Sequence, residues 1–348
     1  MNRSRSAWQG PQLADREDEW IHRVRDTDVA ELERAHDALK SRGFASLDDV
    51  GRDDFPLSDF ARTLASLGEE VEAGRGFAFL RGLPVDRWGI EKSRVIYWGI
   101  SCHLGTPLRQ NARAEKLVKV TDVGAAEKAT SRGPYGRGDM NFHSDFADVV
   151  GLLCLRASKT GGVSRICSSH AILERMAVEH PEYLDVFERG FRFFRKAEEA
   201  VGEPPVSARR LPMLDRSGAL PRFLFWRAFA EQGAQFSGEP LTALEAAALA
   251  YVNDVARDPA HHLDTHFQPG DIQYLNNYRI LHSRTEFEDW PEPERRRYLE
   301  RVWLRTSDAR VNPEGFADTH GPNSIVDGFP LVPADVVAAR ERALAAHA

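Results

Sequence analysis

The stretch Asn141–Phe146 reads NFHSDF and places an imidazole and a carboxylate two residues apart. Side chains alternate between the two faces of an extended strand, so His143 and Asp145 would project from one face. These are two of the ligand types that protein metal sites use. A His-x-Asp pair also arises by chance, and on a strand it is most often a hydrogen-bonded pair. Any metal site here needs a partner from elsewhere in the chain.

The later stretch 269–285 strengthens the metal interpretation. It reads PGDIQYLNNYRILHSRT and contains His282, and Arg297 follows it. The HxD, PGD, NNxxxLHxRT and RxLxR elements occur in this order. Together, over residues 76–306, they resemble the TauD/TfdA family of Fe(II)- and 2-oxoglutarate-dependent dioxygenases. The resemblance implies a double-stranded β-helix, which agrees with the jelly roll that the strand pattern predicts.

The resemblance also implies a ligand set for the metal, namely His143, Asp145 and His282. Two imidazoles and one carboxylate occupy one face of an octahedral Fe(II) ion and leave positions open for cosubstrate and oxygen. The cofactors expected are therefore Fe(II), 2-oxoglutarate and O2. The expected products are succinate, CO2 and a hydroxylated small molecule, with desaturation or ring closure as other outcomes of the same chemistry.

Four further residues receive roles from the resemblance. Arg297 matches the arginine that binds the distal carboxylate of 2-oxoglutarate, and a planar guanidinium suits this task. Ser164 lies where relatives often carry a threonine that contacts the same carboxylate. Arg301, four residues after Arg297, is expected on the same face of the strand, where it would bind an anionic or amino-acid-like substrate. Asn111 is expected near the substrate pocket.

Other interpretations remain beside the oxygenase. A non-catalytic jelly-roll protein could hold a metal or small ligand, because a fold alone does not fix a function. A zinc hydrolase on the same scaffold is a third option. His262 and His266 are four residues apart, but the segment lacks the intervening glutamate of a zinc protease helix. An arginine beside the metal favours the oxygenase, because a simple metal binder does not need one.

The order of helical and strand patterns predicts a single domain over residues 1–348, mainly β with helical additions. A helical extension is expected over residues 1–75, and a jelly-roll core with a helical insertion over 76–310. A closing helix is expected within 330–348. The first dozen residues look loose in the sequence. Strands are predicted at Phe142–Phe146, Val149–Arg156 and Phe191–Ala197. One helix is expected to start near Ser169 and to stop before Pro181, and the capping box of Thr242 and Glu245 begins another.

The glycine-rich segment 131–139 is either a mobile lid or an ordinary surface loop. Residues 204–239 are expected to contribute to substrate specificity.

Composition narrows the class of protein further. The chain has 348 residues and a net charge of -7, and it contains no basic block suited to a phosphate backbone. No window approaches the ~18 apolar residues of a membrane span. Three cysteines without a CxxC motif are typical of a reducing compartment, so a cytoplasmic location is expected. The sequence leaves the oligomeric state open, including a homo-oligomer.

Overall fold

The structure of the chain, a computed structural model, describes residues 3–111, 113–121, 137–195, 199–306 and 332–345. Most of the glycine-rich segment 131–139, for which a lid and a surface loop were both open, lies outside these ranges, namely residues 131–136. Among the described residues, no helix has both the length and the apolar character that crossing a membrane requires.

The strands form two main sheets that enclose an apolar core. The larger, seven-stranded sheet has the order β1-β2-β11-β5-β14-β3, and β4 also pairs with β14. The smaller sheet has the order β10-β7-β12. The remaining pairs are β13-β6 and β8-β9. The strands are β1 Ile21–Arg23, β2 Phe77–Arg81, β3 Thr106–Pro107, β4 Leu117–Val120, β5 Val149–Arg156, β6 Thr160–Gly161, β7 Ser164–Ser168, β8 Leu214–Asp215, β9 Arg222–Phe223, β10 His262–Thr265, β11 Ile272–Asn276, β12 Ile280–Arg284, β13 Phe287–Glu288 and β14 Tyr298–Arg305.

Helices cover the outer sides of this core. Residues of α3, α4 and α5 share a buried cluster with the outer face of the larger sheet, and residues of α6, α7 and α9 share another with the smaller sheet. The helices are α1 Arg3–Ser6, α2 Pro11–Ala14, α3 Asp26–Arg42, α4 Asp59–Glu72, α5 Val85–Cys102, α6 Ser169–Glu179, α7 Pro181–Arg189, α8 Arg227–Ser237, α9 Ala243–Arg257 and α10 Ala334–Ala345. Four short 3-10 turns lie at Glu17–Glu19, Leu47–Asp49, Arg52–Asp54 and Pro293–Arg295. The prediction of a jelly-roll core with helical additions is confirmed.

Strand β14 shows how the sequence assigns its two faces. Leu299, Arg301 and Trp303 line the central cavity, whereas Val302 and Leu304 pack in the cluster that contains the outer helices. Successive side chains of a strand point to opposite faces, so one alternating run contributes both to the core and to the cavity wall. Both faces of β14 are covered, which explains why most of its residues are buried.

The N-terminal segment differs from the prediction of a helical extension. Helices α3 and α4 are present, but Ile21–Arg23 forms a strand that pairs in parallel with β2. Trp8 and Trp20 are buried, and both rings contact Phe77 edge-on. Aromatic packing therefore fixes a region whose first dozen residues look loose in the sequence, because large apolar side chains gain most from burial.

Two segments that were predicted as strands form only isolated bridges within the described ranges. Between Phe191 and Ala197 only two isolated bridges form, Phe191 to Leu211 and Phe194 to Val206, and residues 196–198 lie outside the described ranges. The facing segment contains Pro204, Pro205 and Pro212, which cannot donate to a ladder. The other case, Phe142–Phe146, concerns the site itself and is described next.

Candidate metal centre

The described residues contain one group of side chains with the composition and spacing of a metal site. His143, Asp145 and His282 each offer a ligand atom, and these atoms lie within 4.8 Å of one another. The imidazole centroids are 4.3 Å apart, and His282 Nε2 lies 4.0 Å from Asp145 Oδ2. The structure thus brings together the three residues predicted as iron ligands, from segments that are distant in the sequence. Two nitrogens and one carboxylate fit a facial Fe(II) site.

Backbone pairing places the two imidazoles opposite each other. His282 lies in the middle of β12, which pairs with β7 along its whole length. His143 forms an isolated antiparallel bridge with His282, in which each N–H donates to the partner's carbonyl at 3.0 and 2.9 Å. Directly opposed residues of an antiparallel pair have neighbouring side chains, so this bridge sets the spacing between the imidazoles.

The predicted strand Phe142–Phe146 is wrong beyond His143. The Asp145 N–H donates to the side-chain Oδ1 of Asn277 at 3.0 Å, and Asn277 Nδ2 donates to the Ala147 carbonyl at 2.9 Å. The Ser144 N–H donates to the Phe225 carbonyl at 3.0 Å. One fully buried amide therefore replaces a neighbouring strand for this segment. Sequence reasoning gave Asn277 no role, although it is the second asparagine of the NN pair in the recognised motif.

The electrostatic surroundings keep Asp145 ionised. Burial alone would raise the pKa of its carboxyl, but the charge of Arg301, the two imidazoles and a hydrogen bond from Trp303 outweigh burial and lower it. Trp303 Nε1 donates to Oδ2 at 2.9 Å. Both Asp145 oxygens lie 3.4 Å from Arg301 Nη1. A carboxylate in this state can bind a cation without first losing a proton.

The two imidazoles each have a ring nitrogen whose lone pair is available to a metal. His143 Nδ1 lies 2.9 Å from the Asn141 carbonyl oxygen, which can only accept, so Nδ1 carries the proton and Nε2 is left for a metal. Burial lowers the pKa of His282 to about 3, and the charge of His143 acts in the same direction. His282 is therefore neutral near pH 7, which is the form that binds metals.

The triad lies in the wall of a cavity of about 340 Å³. Apolar and aromatic side chains form much of this wall, together with four arginines. Its lining includes Val118, Val120, Phe146, Leu152, Trp226, Phe229, Phe267, Leu299 and Trp303, with Arg227, Arg284, Arg297 and Arg301 as the arginines. A mainly apolar cavity with a few polar groups is typical of a small-molecule site.

Arg297 is buried in this wall and is without an anionic partner among the described residues. It is 6% exposed, and no hydrogen bond or ion pair joins its guanidinium to a residue in those ranges. The Phe287 ring lies 5.3 Å from its Cζ. Burial and the nearby Arg284 charge lower the pKa of Arg297 to about 10, so it is still a cation near pH 7. A buried cation that faces a cavity without a counter-ion fits the carboxylate of a ligand.

The absence of a side chain at Gly162 leaves room for the Arg297 guanidinium. Its φ of +70° lies in the left-handed region, and a Cβ there would lie 2.7 Å from Ser158 Oγ and 3.5 Å from Arg297 Nε. Glycine avoids both the conformational strain and the close contact. The strand β7 begins two residues later with Ser164, and the serine and Arg297 both line the cavity.

The other predicted residues are also in the cavity wall, with partners that the sequence did not reveal. Ser164 Oγ donates to Gln273 Oε1 at 3.1 Å. Arg301 Nε donates to Gln110 Oε1 at 2.7 Å. Asn111 Nδ2 donates to the Glu115 carboxylate at 2.6 Å, so the amide of Asn111 holds a turn at the edge of the cavity.

The family model of taurine catabolism dioxygenases, the TauD, TfdA family, matches residues 40–303. The chain belongs to this family. Membership confirms the predicted enzyme class, a dioxygenase that depends on Fe(II) and 2-oxoglutarate. The three ligand atoms fit the iron, and the buried Arg297 guanidinium, which forms no ion pair with the described residues, fits a carboxylate of 2-oxoglutarate.

Curated relatives cover most of the chain. FR-33289 synthase of Streptomyces rubellomurinus is 29% identical over 320 residues, which is 91% of this chain and 93% of that protein. The taurine hydroxylase-like protein SAT17 of Stachybotrys chartarum is 28% identical over 311 residues, 85% of this chain and 77% of that protein.

Solved structures share the fold. An asparagine oxygenase in complex with Fe(II), 2S,3S-3-hydroxyasparagine and succinate has a TM-score of 0.66 at 22% identity, covering 90% of this chain and 100% of that one. The non-heme iron oxygenase OrfP with Fe and alpha-ketoglutaric acid has a TM-score of 0.60 at 15% identity, covering 89% and 100%.

Proposed function

We propose that this dioxygenase hydroxylates a small, anionic, amino-acid-like molecule, with oxidation of 2-oxoglutarate to succinate and CO2. The observation that carries the proposal is the shared cavity. One wall holds two imidazoles and an ionised carboxylate within 4.8 Å of one another, and the same cavity receives a buried arginine that forms no ion pair with any described residue. A non-catalytic metal binder has no use for that arginine.

The proposed roles follow from these contacts. His143, Asp145 and His282 would hold the iron, which supplies the activation of oxygen when bound. Arg297 would bind the distal carboxylate of 2-oxoglutarate, with Ser164 beside it. The apolar lining would exclude water from the reacting centre. The chain's own task is thus to position the two substrates and keep the site dry.

Arg301 is the proposed contact for the anionic group of the substrate. Its Nε and Nη1 are directed to Gln110 and Asp145, while no residue in the described ranges accepts a hydrogen bond from its Nη2. The Trp303 ring lies 4.9 Å from its Cζ and limits its movement. A held guanidinium with one open edge in the cavity suits a carboxylate or a similar anion.

The comparisons support an amino-acid-like substrate. The asparagine oxygenase structure contains a hydroxylated asparagine, and another OrfP structure contains (3S)-hydroxy-L-Arg. The start of α8, including Arg227 and Glu231, also lines the cavity, and these two side chains pair with each other, with Arg227 Nε 2.7 Å from Glu231 Oε1. This helix lies in the region 204–239 where the sequence predicted that specificity is decided.

The test begins with binding in the absence of oxygen. Fe(II) plus 2-oxoglutarate should give the weak visible charge-transfer band of the chelate, and titration of this band gives a Kd. Arg297→Gln should raise that Kd by at least about tenfold, because a hydrogen-bonded charge pair is lost. Arg295→Gln is the matched control, since Arg295 is half exposed and lies over the Trp290 ring; its Kd should equal that of the wild type.

Absence of the band in the wild type would favour the non-catalytic binding protein. Activity with zinc and without oxygen would favour the hydrolase. For the substrate, succinate release should be measured across a panel of amino acids and small acids, with the product examined for the gain of one oxygen atom. Desaturation or ring closure would remove two hydrogens instead. Arg301→Ala should raise the KM of the anionic substrate, and an unchanged KM would remove the role of Arg301.

We also propose one domain and a cytoplasmic location. Strand β1 joins the larger sheet, and Arg340 of α10 lies 3.5 Å from Glu199, so both terminal segments contact the core. All three cysteines are buried thiols, which is consistent with a reducing compartment.

A further inference from the structure

A closed ring of three buried hydrogen bonds lies behind Ser164. Ser164 Oγ donates to Gln273 Oε1 at 3.1 Å, Gln273 Nε2 is 3.3 Å from Thr265 Oγ1, and Thr265 Oγ1 donates to the Ser164 carbonyl at 3.1 Å. Gln273 is fully buried on β11 of the larger sheet, and Ser164 and Thr265 are paired residues of the smaller sheet. The ring therefore joins the two sheets beside the cavity.

The position of Gln273 is unusual for its residue type. Along β11, Leu275 lies on the same face and belongs to the inner apolar cluster. A buried amide is costly there unless its polar atoms are hydrogen-bonded. Gln273 reaches Ser164 and Thr265, so its interactions point toward the wall where Ser164 and Arg297 meet the cavity.

The directions of the hydrogen bonds matter for a carboxylate ligand. A serine hydroxyl has one proton, and Ser164 gives it to Gln273 Oε1. In this arrangement Ser164 offers the cavity only lone pairs, which repel an anion. If the Gln273 amide turns by half a rotation, its Nε2 donates to Ser164 Oγ and its Oε1 accepts the Thr265 proton, which Thr265 then no longer donates to the Ser164 carbonyl. The Ser164 proton is then available to the ligand, and the shape of the wall is unchanged.

We propose that Gln273 is a positioning residue for the cosubstrate, whose amide turns when 2-oxoglutarate binds and thereby makes Ser164 a hydrogen-bond donor to the distal carboxylate. The inference rests on the proposed function. It adds a residue that acts through Ser164 and does not itself contact the ligand. Arg297 supplies the charge, and Gln273 sets the direction of the one hydroxyl beside it.

The test compares two substitutions of similar length. Gln273→Glu places a carboxylate where only acceptance is possible, so Ser164 keeps donating to it. The Kd of 2-oxoglutarate, from the anaerobic charge-transfer band, should rise by about tenfold or more. Gln273→Met removes the amide and leaves the Ser164 proton free for the ligand, so its Kd should stay within about threefold of the wild type. Thermal unfolding of each variant reports whether it is folded.

Two controls separate this role from simpler ones. 2-Oxopentanoate keeps the chelating end of the cosubstrate and carries a methyl group in place of the distal carboxylate, so both variants should bind it like the wild type. In a Ser164→Ala background, Gln273→Glu should cost little further affinity, because the hydroxyl through which it acts is gone.

Several results would overturn the inference. Equal losses for both cosubstrates would mean that Gln273 only packs. An equal loss from Gln273→Glu with and without Ser164 would mean direct charge repulsion, and an unchanged Kd would mean no role. These results presuppose a wild-type band. If the wild type gives no band, the proposed function itself fails, and this inference fails with it.

Discussion

The two halves of the metal centre are held in different ways. His282 lies inside a regular strand whose backbone pairs with β7 at every residue. Asp145 lies in an irregular segment that is fixed by a backbone bridge at His143, by the backbone bond from Ser144 to Phe225 and by side chains, above all the amide of Asn277. Backbone pairing resists changes of side chain, whereas an amide contact is lost with one substitution. The irregular half is therefore the sensitive half.

The hydrogen bonds that orient the three proposed ligands also differ between the two halves. On the irregular side, His143 Nδ1 has the Asn141 carbonyl and Asp145 has Trp303 Nε1. On the strand side, His282 Nδ1 is buried and is without a hydrogen-bond partner in the described part of the chain. The strand orients His282 through its backbone and through close packing. The irregular segment depends on polar contacts, and each of these contacts is lost when either of its two partners is replaced.

Removal of a ligand from either half should have the largest effect and should erase the difference between them. We expect His143→Ala and His282→Ala each to weaken Fe(II) binding by more than about a hundredfold, because a facial site needs all three ligands. Anaerobic Fe(II) titration measures this. His180→Ala is the control, since its side chain is 42% exposed. Near-normal binding by either ligand variant would show that the metal lies elsewhere.

Loss of the amide in the irregular half should have the next largest effect. Asn277→Leu removes both contacts to residues 145–147, so Fe(II) affinity should fall by about tenfold to a hundredfold, as for other residues that orient metal ligands. The matched change in the strand half is Ile166→Val, because Ile166 is buried and pairs with His282. It should cost about 1 kcal/mol of stability and leave metal affinity unchanged. Equal losses of affinity in the two variants would contradict the contrast between the halves.

Over a single pH unit, the pH dependence of stability should show the smallest of these effects, and it arises in the strand half. The folded pKa of His282 is lowered to about 3 by burial, whereas an exposed histidine titrates near ~6.5. Between these values the unfolded chain binds a proton that the folded chain does not. The metal-free protein should therefore lose stability as the pH falls below about 6.5, by at most ~1.4 kcal/mol per pH unit from this group. Urea unfolding at several pH values measures it, and His282→Gln should flatten the curve. Parallel curves would show that His282 does not contribute.

Much of the fold followed from local patterns. Strand β5 was predicted with its observed bounds, and helix α9 begins at the predicted capping box of Thr242 and Glu245. Strand β1 escaped prediction because three residues carry little periodicity and their pairing partner lies far along the chain. Helix α7 was not predicted, because Pro181 was interpreted as the end of the preceding helix. In the structure Pro181 occupies the first turn of α7.

The candidate site, like the fold, was predicted in part from the sequence and in part was not. The motifs around positions 143, 145, 282 and 297, through their resemblance to the TauD/TfdA family, predicted an iron site with a carboxylate-binding arginine. Asn277 and Trp303 could not be predicted, because they contact Asp145 across 132 and 158 residues of chain. Alternation within a strand gives the direction of a side chain but not the residue that it meets. The contacts of the Gln273 amide could likewise not be predicted, because the surrounding strand has the sequence pattern of an apolar core.

The sequence by itself determined which groups can bind iron and an anion, and which face of β14 carries Arg301. Only the tertiary structure decided that these groups converge, that Asn277 rather than a strand orients Asp145, and that the buried Arg297 forms no ion pair within the described part of the chain. The physical reason is that charge, type and periodicity belong to single residues. Distance, burial and protonation depend on which segments meet when the two sheets close around the cavity.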